Sequence, residues 1–477
     1  MKAISHNYKL QLIFSLFLSI TCFVEEGNIY LPMTSNFTLE HSQSKINNKN
    51  YYTIPLEIGT PGEEYEVQVD TSTATSWIPS SRCTNCALAH RLYDEEDSRT
   101  SSPTDILIEI EDEDGNVEGY QTSDNIQLGR YKLKQYGFVS VTKVADNFRD
   151  HYQGKLGLGY KSHYLKDEEF NFLEKLKKHN LISKKIFSIN AINEKKGMLF
   201  IGDTPGKEYN SYCNVTDTDD LDDMYKESWV CHLSHIGVFE KEKGIFNKIK
   251  YYDELENNDL VSFDSAYDYI AVPISEKQHI QHLLDKAGLK CKERKKSQSK
   301  KSQNDKLRNR IREEEITITC KTDMDELKEK DLALSFILQG FSYSLPLELL
   351  FVETSNKDEM EMLIKYIDHD DAIWTFGYPF MNQFLMIFNM EDNHVGIKKL
   401  KKTALPIINI NNKDWLKYNL KEDNSSTSSA FKTIGYITLV VVAIAIIFFI
   451  YHAIRKRNLN PNKDGINFEN NNKEMVY

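Results

Sequence analysis

Two aspartates that lie far apart in the chain each end an apolar stretch and precede a hydroxyl residue. Asp70 is followed by Thr71, and Asp264 is followed by Ser265. Two carboxylates that face one site cannot both ionise cheaply, so such a pair retains one proton. The ionised group can then deprotonate a water while the protonated group polarises a carbonyl. Asp70 and Asp264 are the candidate catalytic residues, and a duplicated lobe would bring them to one cleft.

The segments around these residues have the pattern of β-strands. Tyr52–Ile58 and Tyr65–Val69 alternate between apolar and polar residues and flank a turn at 59–62. A hairpin is predicted over residues 106–120, because Asp114-Gly115 favours a tight turn. Apolar residues recur at helical spacing only over short stretches, as at residues 172–176. The pattern predicts an all-β, mainly antiparallel protein with a few short helices.

Length and charge narrow the class of protein. A chain of 477 residues with 40% hydrophobic content can bury a large core, which indicates two domains or one bilobal unit. The formal net charge of -12 disfavours nucleic acid as a partner, because phosphate binding needs a basic face. An acidic lumen or an extracellular surface fits this charge better.

Both ends of the chain carry targeting signals. Residues 1–24 place two lysines before an apolar run, as in a secretory signal peptide. Residues 434–454 have no formally charged side chain and are long enough for a transmembrane helix, and the basic run 455–457 follows. We expect a single-pass type I membrane protein with residues 455–477 as a cytosolic tail. Its catalytic part would be luminal or extracellular, in the endolysosomal system or at the cell surface; a cleaved lipid-anchor signal is the alternative.

Six cysteines remain once Cys22 of the signal is set aside, and an even number in an oxidising compartment suggests three disulfides. Nearest-neighbour pairing joins Cys83 with Cys86, Cys213 with Cys231, and Cys291 with Cys320. A zinc site at Cys83 and Cys86 would need a second ligand pair nearby, and none has a suitable spacing. We therefore expect no metal.

Three polar segments and three glycosylation sequons complete the organisation. Residues 25–50 are predicted to be a short leader, 403–433 a juxtamembrane stalk, and 292–312 a basic loop insertion that is solvated or, alternatively, a docking site. The leader is too short and too weakly basic for an inhibitory prosegment, so activation is not expected to require its removal. The acceptors for N-glycosylation are Asn36, Asn214 and Asn424.

Several segments in order resemble the pepsin-like aspartic proteases. Asp70-Thr71-Ser72 with Trp77-Ile78-Pro79-Ser80 resembles the first active-site segment of that family. Residues 58–61 are similar to its approach strand, while residues 154–160 and 374–381 resemble the segments behind the two aspartates. Cys83 with Cys86 and Cys291 with Cys320 match its disulfides. The resemblance covers about residues 51–402, divided into lobes at 51–205 and 206–402.

The resemblance implies a bilobal fold whose cleft binds an extended peptide under a hairpin flap. Thr71 and Ser265 would then cross-link the two active-site loops, and Trp77 would belong both to the core and to the wall of the cleft. We expect a peptide or protein substrate, no cofactor and a monomer.

This chain departs from the family pattern at four places around the proposed cleft. The family has glycine where this chain has Ser72 and Ala266, and a Cβ takes up space beside the carboxylates. Thr73 is expected to keep the hydroxyl donor to the outer oxygen of Asp70, whereas Tyr267 replaces the second such donor. The flap tyrosine is missing from residues 110–112.

Two hypotheses from different classes follow. One is an aspartic endopeptidase with modified loops that slow or specialise it. The other is a catalytically inactive relative that keeps the cleft as a peptide- or protein-binding module. Retention of both aspartates and both following hydroxyls favours the enzyme.

Overall fold

The computed structural model describes residues 28–35, 52–84, 86, 91–111, 116–145, 153–164, 170–193, 196–204, 209, 211–242, 245–295, 314–356, 358–369, 371–399 and 407–409. All of them belong to one compact unit, Met1–Lys417. The predicted signal peptide, stalk, transmembrane segment and cytosolic tail, as well as Asn36 and Asn424, lie outside these residues. In the described part of the chain, no helix is long and apolar enough to cross a membrane.

The described residues fold mainly into strands. They are β1 (Ile29–Ser35), β2 (Tyr52–Ile58), β3 (Glu63–Asp70), β4 (Trp77–Pro79), β5 (Ser102–Ile110), β6 (Val117–Leu128), β7 (Tyr131–Val144), β8 (Lys155–Gly157), β9 (Ile186–Asn193), β10 (Lys196–Ile201), β11 (Tyr212–Asn214), β12 (Val230–Glu242), β13 (Ile245–Phe263), β14 (Ile270–Pro273), β15 (Lys290–Lys295), β16 (Glu314–Lys321), β17 (Leu332–Leu338), β18 (Phe341–Pro346), β19 (Phe351–Glu353), β20 (Met360–Asp368), β21 (Trp374–Phe376), β22 (Phe384–Asn389), β23 (His394–Lys399) and β24 (Ile408–Asn409). Helices in this part are short: α1 (Phe172–Lys178), α2 (Lys277–Lys286), α3 (Met324–Glu329) and α4 (Tyr378–Met381), with 3-10 turns at Asp223–Tyr225, Ile274–Glu276 and Leu347–Leu350. The prediction of a mostly β protein with few helices is confirmed.

The described strands form two sheets. The first has 13 strands in the order β11-β23-β22-β9-β10-β1-β2-β3-β8-β4-β7-β6-β5. The second has 11 strands in the order β15-β16-β20-β14-β21-β13-β12-β17-β18-β24, with β19 paired to β20. Strands β11, β22 and β23 come from the predicted C-terminal lobe yet pair within the first sheet, so strand pairing crosses the predicted boundary at residue 205. The boundary itself stays a prediction.

Each aspartate stands at the end of a strand that pairs in parallel with a later segment. Strand β3 pairs with β8, so that Asp70 is level with Gly157, and β13 pairs with β21. A Cβ on Gly157 would lie 2.6 Å from the carbonyl carbon of Ala74, and one on Gly377 would lie 2.4 Å from the oxygen of Tyr267. Both distances are shorter than real Cβ contacts, so glycine at these positions lets the active-site loops pack against the segments behind them.

The three predicted disulfides are confirmed: Cys83–Cys86, Cys213–Cys231 and Cys291–Cys320. The last of these joins β15 to β16 at directly paired positions. Residues 292–295 of the predicted insertion belong to β15, so that part is a strand and not a loop. Glu359 lies 3.4 Å from the ammonium of Lys292 and 2.8 Å from the guanidinium of Arg294, so one carboxylate is shared by two of the basic side chains.

Part of the predicted leader is a strand of the first sheet. Strand β1 pairs with β10 over six residues and with β2 over two. Ile29, Leu31 and Met33 point into the core with exposures of 0%, 6% and 1%. The prediction of a leader separate from the domain is therefore wrong for residues 29–35, because these side chains complete the core between two neighbouring strands.

A chain that starts at Tyr51 lacks β1. Burying three such side chains contributes about 1.5–3 kcal/mol each, so we expect the free energy of unfolding to fall by roughly 5–9 kcal/mol. Chemical denaturation of the truncated protein measures this, and a chain that starts at Gly27 and keeps β1 is the control. Sequencing the N-terminus of the mature protein should find β1 retained; a stable protein that begins near Tyr51 would contradict the assignment.

Candidate active site

Four hydrogen bonds join the two aspartate loops across the lobe boundary. The Thr71 hydroxyl donates to the carbonyl of Phe263 at 2.8 Å, and the Ser265 hydroxyl donates to the carbonyl of Val69 at 2.7 Å. The backbone N–H of Thr71 donates to Oγ of Ser265 at 3.1 Å, and that of Ser265 donates to Oγ1 of Thr71 at 3.0 Å. All these groups are buried. Because Asp70 and Asp264 directly precede Thr71 and Ser265, this exchange brings both aspartates to the junction of the lobes.

The carboxylate of Asp70 is completely buried and is held by its own loop. Its Oδ1 accepts hydrogen bonds from the backbone N–H of Ser72 at 2.8 Å and from the Ser72 hydroxyl at 2.7 Å. The side chain at position 72 therefore leaves the backbone donor in place and adds a second donor to the same oxygen. Ser72 supports the carboxylate instead of blocking it.

The second loop repeats the backbone contact without the hydroxyl. The N–H of Ala266 donates to Oδ1 of Asp264 at 2.7 Å, and Asp264 is 4% exposed. Tyr267 is nearly buried, and its ring meets that of Tyr269 edge-on at 5.1 Å between centroids. Small residues at 72 and 266 thus preserve the backbone donors that hold the two carboxylates.

Thr73 does not hold Asp70 in the way that the sequence suggested. Its hydroxyl donates to Oε2 of Glu227 at 2.6 Å. A hydroxyl has one hydrogen, so this strong charge-assisted contact takes the donor that was expected to reach the outer oxygen of Asp70. The prediction for Thr73 is wrong, and the hydroxyl that reaches Asp70 belongs to Ser72.

Glu227 is a buried carboxylate that fixes the first active-site loop. Its two oxygens accept hydrogen bonds from the backbone N–H groups of four residues and from two hydroxyls, contributed by Thr73, Ala74, Thr75, His163 and Tyr164. Its exposure is 2%. Six donors replace the hydration that the charge loses on burial. The next two residues extend the link, since the Ser228 hydroxyl donates to the carbonyl of Ser72 at 2.9 Å and the indole N–H of Trp229 donates to that of Leu158 at 2.8 Å.

A buried lysine faces Asp70, the first of the two candidate catalytic aspartates. Nζ of Lys155 lies 2.9 Å from Oδ2 of Asp70, and both side chains have 0% exposure. Nζ and Oδ2 are close, but their alignment is not that of a hydrogen bond, and Oδ2 has no hydrogen-bond partner among the described residues. We treat the contact as an ion pair, because opposite charges at this distance attract strongly at any angle. The Lys155 ammonium therefore contacts one of the two carboxylates that were expected to share a proton.

The predicted flap is a hairpin of β5 and β6, in which Ile110 pairs with Val117. The turn at residues 112–115 lies outside the described residues. Tyr120 lies on the returning strand, and the guanidinium of Arg82 is 5.9 Å from its ring centroid. Ile110 instead packs in one cluster with Trp77, which is 1% exposed and so belongs to the core as predicted.

A small pocket opens beside Ser72 and Thr73, under the hairpin. Its other walls include Ile110, Glu111, Tyr164 and Asp223. The Tyr164 hydroxyl accepts a hydrogen bond from the backbone N–H of Glu111 at 3.4 Å. Burial raises the pKa of the Tyr164 phenol, so the group stays protonated. The pocket could receive one side chain of a bound peptide.

One group of side chains away from the aspartates has the spacing of a metal site. Asp222, His369 and Asp371 each offer a ligand atom, and these atoms lie within 4.8 Å of one another. The group is partly exposed, and exposed acidic groups commonly occur without an ion. Asn214, the one predicted glycosylation acceptor in the described part of the chain, is exposed on β11.

The model of the eukaryotic aspartyl protease family matches residues 51–400. The chain belongs to this family. Renin of Echis ocellatus is 20% identical over 352 residues, which cover 72% of this chain and 78% of the relative. Cathepsin D of Rattus norvegicus is 23% identical over 386 residues, which cover 74% of this chain and 82% of the relative. Procardosin-A of Cynara cardunculus is 32% identical, but over only 111 residues, 22% of each chain. Membership of the aspartyl protease family therefore extends over both lobes, at low identity.

Two residues of this site were missed by reasoning from the sequence. Lys155 was visible as a lysine inside Gly154-Lys155-Leu156-Gly157, where an aspartyl protease strand between two glycines should be apolar. That departure could have drawn attention to it. Glu227 gave no comparable signal, because the sequence does not show which distant N–H groups its carboxylate meets.

Replacing Glu227 by glutamine keeps the shape but turns one acceptor atom into a donor. An NH2 group would then face several N–H or O–H donors, and each buried group left unsatisfied costs about 1–3 kcal/mol. We expect Glu227→Gln to lower the free energy of unfolding by about 3 kcal/mol or more, as measured in urea. Glu96→Gln, at an exposed position, is the matched control. Equal stability of the two variants would show that Glu227 does not fix the loop.

Proposed function

We propose that this protein is an aspartic endopeptidase that hydrolyses peptide bonds through a water activated between Asp70 and Asp264. The observation that carries the proposal is the reciprocal exchange between Thr71 and Ser265, which fixes the two aspartate loops against each other at the lobe junction. Family membership supports it.

The reaction would use the two carboxylates in different charge states. One ionised carboxylate takes a proton from the water, and a protonated one donates to the carbonyl oxygen of the scissile bond. The N–H groups of Ser72 and Ala266 hold the carboxylates in place through the cycle. An extended peptide would lie in the cleft with one side chain in the pocket beside Ser72.

The pocket favours a basic side chain. Asp223 and Glu111 line it together with Glu227, and no lysine or arginine is among its described lining residues. Lys226 offsets part of this charge through its contact with Asp223. Carboxylates among the lining residues are electrostatically complementary to the side chain of lysine or arginine.

Anchoring in a membrane is part of the proposal. The apolar stretch 434–454 and the basic residues after it support a single span with the catalytic unit on the luminal or extracellular side. We propose an endolysosomal or cell-surface location, which is compatible with that orientation.

A catalytically inactive, peptide-binding protein is the second candidate, and one observation favours it. The ammonium of Lys155 contacts Asp70, the carboxylate that the endopeptidase mechanism needs as an acid or base. An inactive protein would bind an unfolded polypeptide in the cleft and release it intact.

We expect the protein to cleave a labelled, denatured protein substrate at mildly acidic pH, and Asp70→Asn to reduce the rate by at least about 100-fold, because a positioned acid or base contributes 10²–10⁴-fold. Asp285→Asn, at an exposed site on α2, is the control and should cleave normally. Binding of the substrate by the wild-type protein without any cleavage would favour the inactive candidate instead.

A further inference from the structure

We infer that the Lys155 ammonium takes the place of the proton that the two active-site aspartates would otherwise share, so that Lys155 sets the pH range in which the site holds an acid. The inference deepens the proposed function and rests on it for its catalytic consequence. Its basis is the 2.9 Å contact between Nζ of Lys155 and Oδ2 of Asp70, with both side chains fully buried.

The strand register explains why this lysine must face the aspartate. Lys155 on β8 is level with Gln68 on the parallel strand β3, and Asp70 follows two residues later. Paired residues on neighbouring strands, and residues two apart on one strand, share a face of the sheet. Lys155, Gln68 and Asp70 therefore lie on one face. The contact is built into the sheet and does not depend on a flexible surface side chain.

Asp70 is in direct contact with Lys155, and Asp264 belongs to the loop that is hydrogen-bonded to the loop of Asp70. Strand β3 presents the neutral amide of Gln68 beside Asp70, and β4 presents Trp77, which pairs with Lys155. Asp264 approaches from the second lobe, because it precedes the Ser265 that is bonded to Thr71. The carboxylate of Glu227 is occupied by its six donors.

The ammonium of Lys155 and a shared proton would give the two carboxylates the same net charge. Two ionised carboxylates and one ammonium carry a single net negative charge, as do two carboxylates that share one proton. A neighbouring cation makes proton binding by a carboxylate less favourable by about 1–3 pH units. The wild-type pair then binds its proton only at lower pH than an isolated pair would. At mildly acidic pH fewer of the wild-type sites then hold the carboxylic acid that donates to the carbonyl, so cleavage is slower than it would be without the cation.

Replacing Lys155 by methionine removes the charge at nearly constant length. We expect the alkaline limb of the pH–rate profile for cleavage of a labelled denatured protein to move up by about 1–3 pH units. At mildly acidic pH the rate should rise by about tenfold or more, because the pair regains its acid. Lys175→Met replaces another buried lysine, on α1, and should leave the profile where it is.

A second readout does not depend on activity. In Lys155→Met the folded pair retains a proton that the unfolded chain releases, so by linkage its stability falls as pH rises. Relative to wild type, the folding equilibrium constant should drop about tenfold per pH unit over the range in which only the variant holds that proton. Urea unfolding at a series of pH values measures this. If Lys155→Met does not fold, the double variant with Asp70→Asn decides, because removal of both charges should restore folding.

The outcomes separate the two claims. A shifted profile together with a pH-dependent stability gap supports the inference. No cleavage by either protein, with the same stability gap, supports the charge role of Lys155 and overturns the proposed endopeptidase function. An unshifted profile, a constant gap, or a double variant that is no better folded than Lys155→Met overturns the inference.

Discussion

The reciprocal hydrogen bonding between Thr71 and Ser265 is the constraint on which the rest of this site depends. Each hydroxyl donates to a carbonyl in the opposite lobe and accepts from the other residue's backbone N–H. Buried backbone groups that lost these partners would cost free energy on both sides at once. The two loops can therefore be displaced only together, and each carboxylate is positioned by contacts that originate in the other half of the chain.

The two aspartate loops share one backbone arrangement but differ in the side chains that support them. Both aspartates end a strand, both accept a hydrogen bond from the N–H two residues later, and both are backed by a segment in which glycine permits close packing. Glu227 gives the first loop additional support, and Lys155 brings a cation to Asp70. The two loops are thus alike in backbone, and the first has charged partners of its own.

The sequence was sufficient for the parts that depend on local pattern. Alternating strands, the two Asp-hydroxyl pairs and the cysteine spacing predicted the β architecture, the paired loops and the disulfides. It failed where a result depends on which distant groups meet. The Thr73 hydroxyl turned to Glu227 because a charged acceptor lay within reach, and residues 29–35 became a strand because β10 and β2 left a place between them. Short polar segments do not reveal such partners.

The buried charges also show how stability and chemistry are coupled here. Glu227 is surrounded by six donors that compensate its charge, so it holds the first active-site loop in place. Asp70 has two donors from Ser72 on one oxygen and the ammonium of Lys155 at the other. Removing one member of a buried ion pair is normally destabilising, since it leaves a charge without compensation. A carboxylate next to a second carboxylate has another way to be compensated, because it can bind a proton. The same lysine can therefore stabilise the fold and limit the acid–base chemistry of the site. A site that keeps it would be less reactive at mildly acidic pH, but its buried carboxylate would stay compensated at neutral pH.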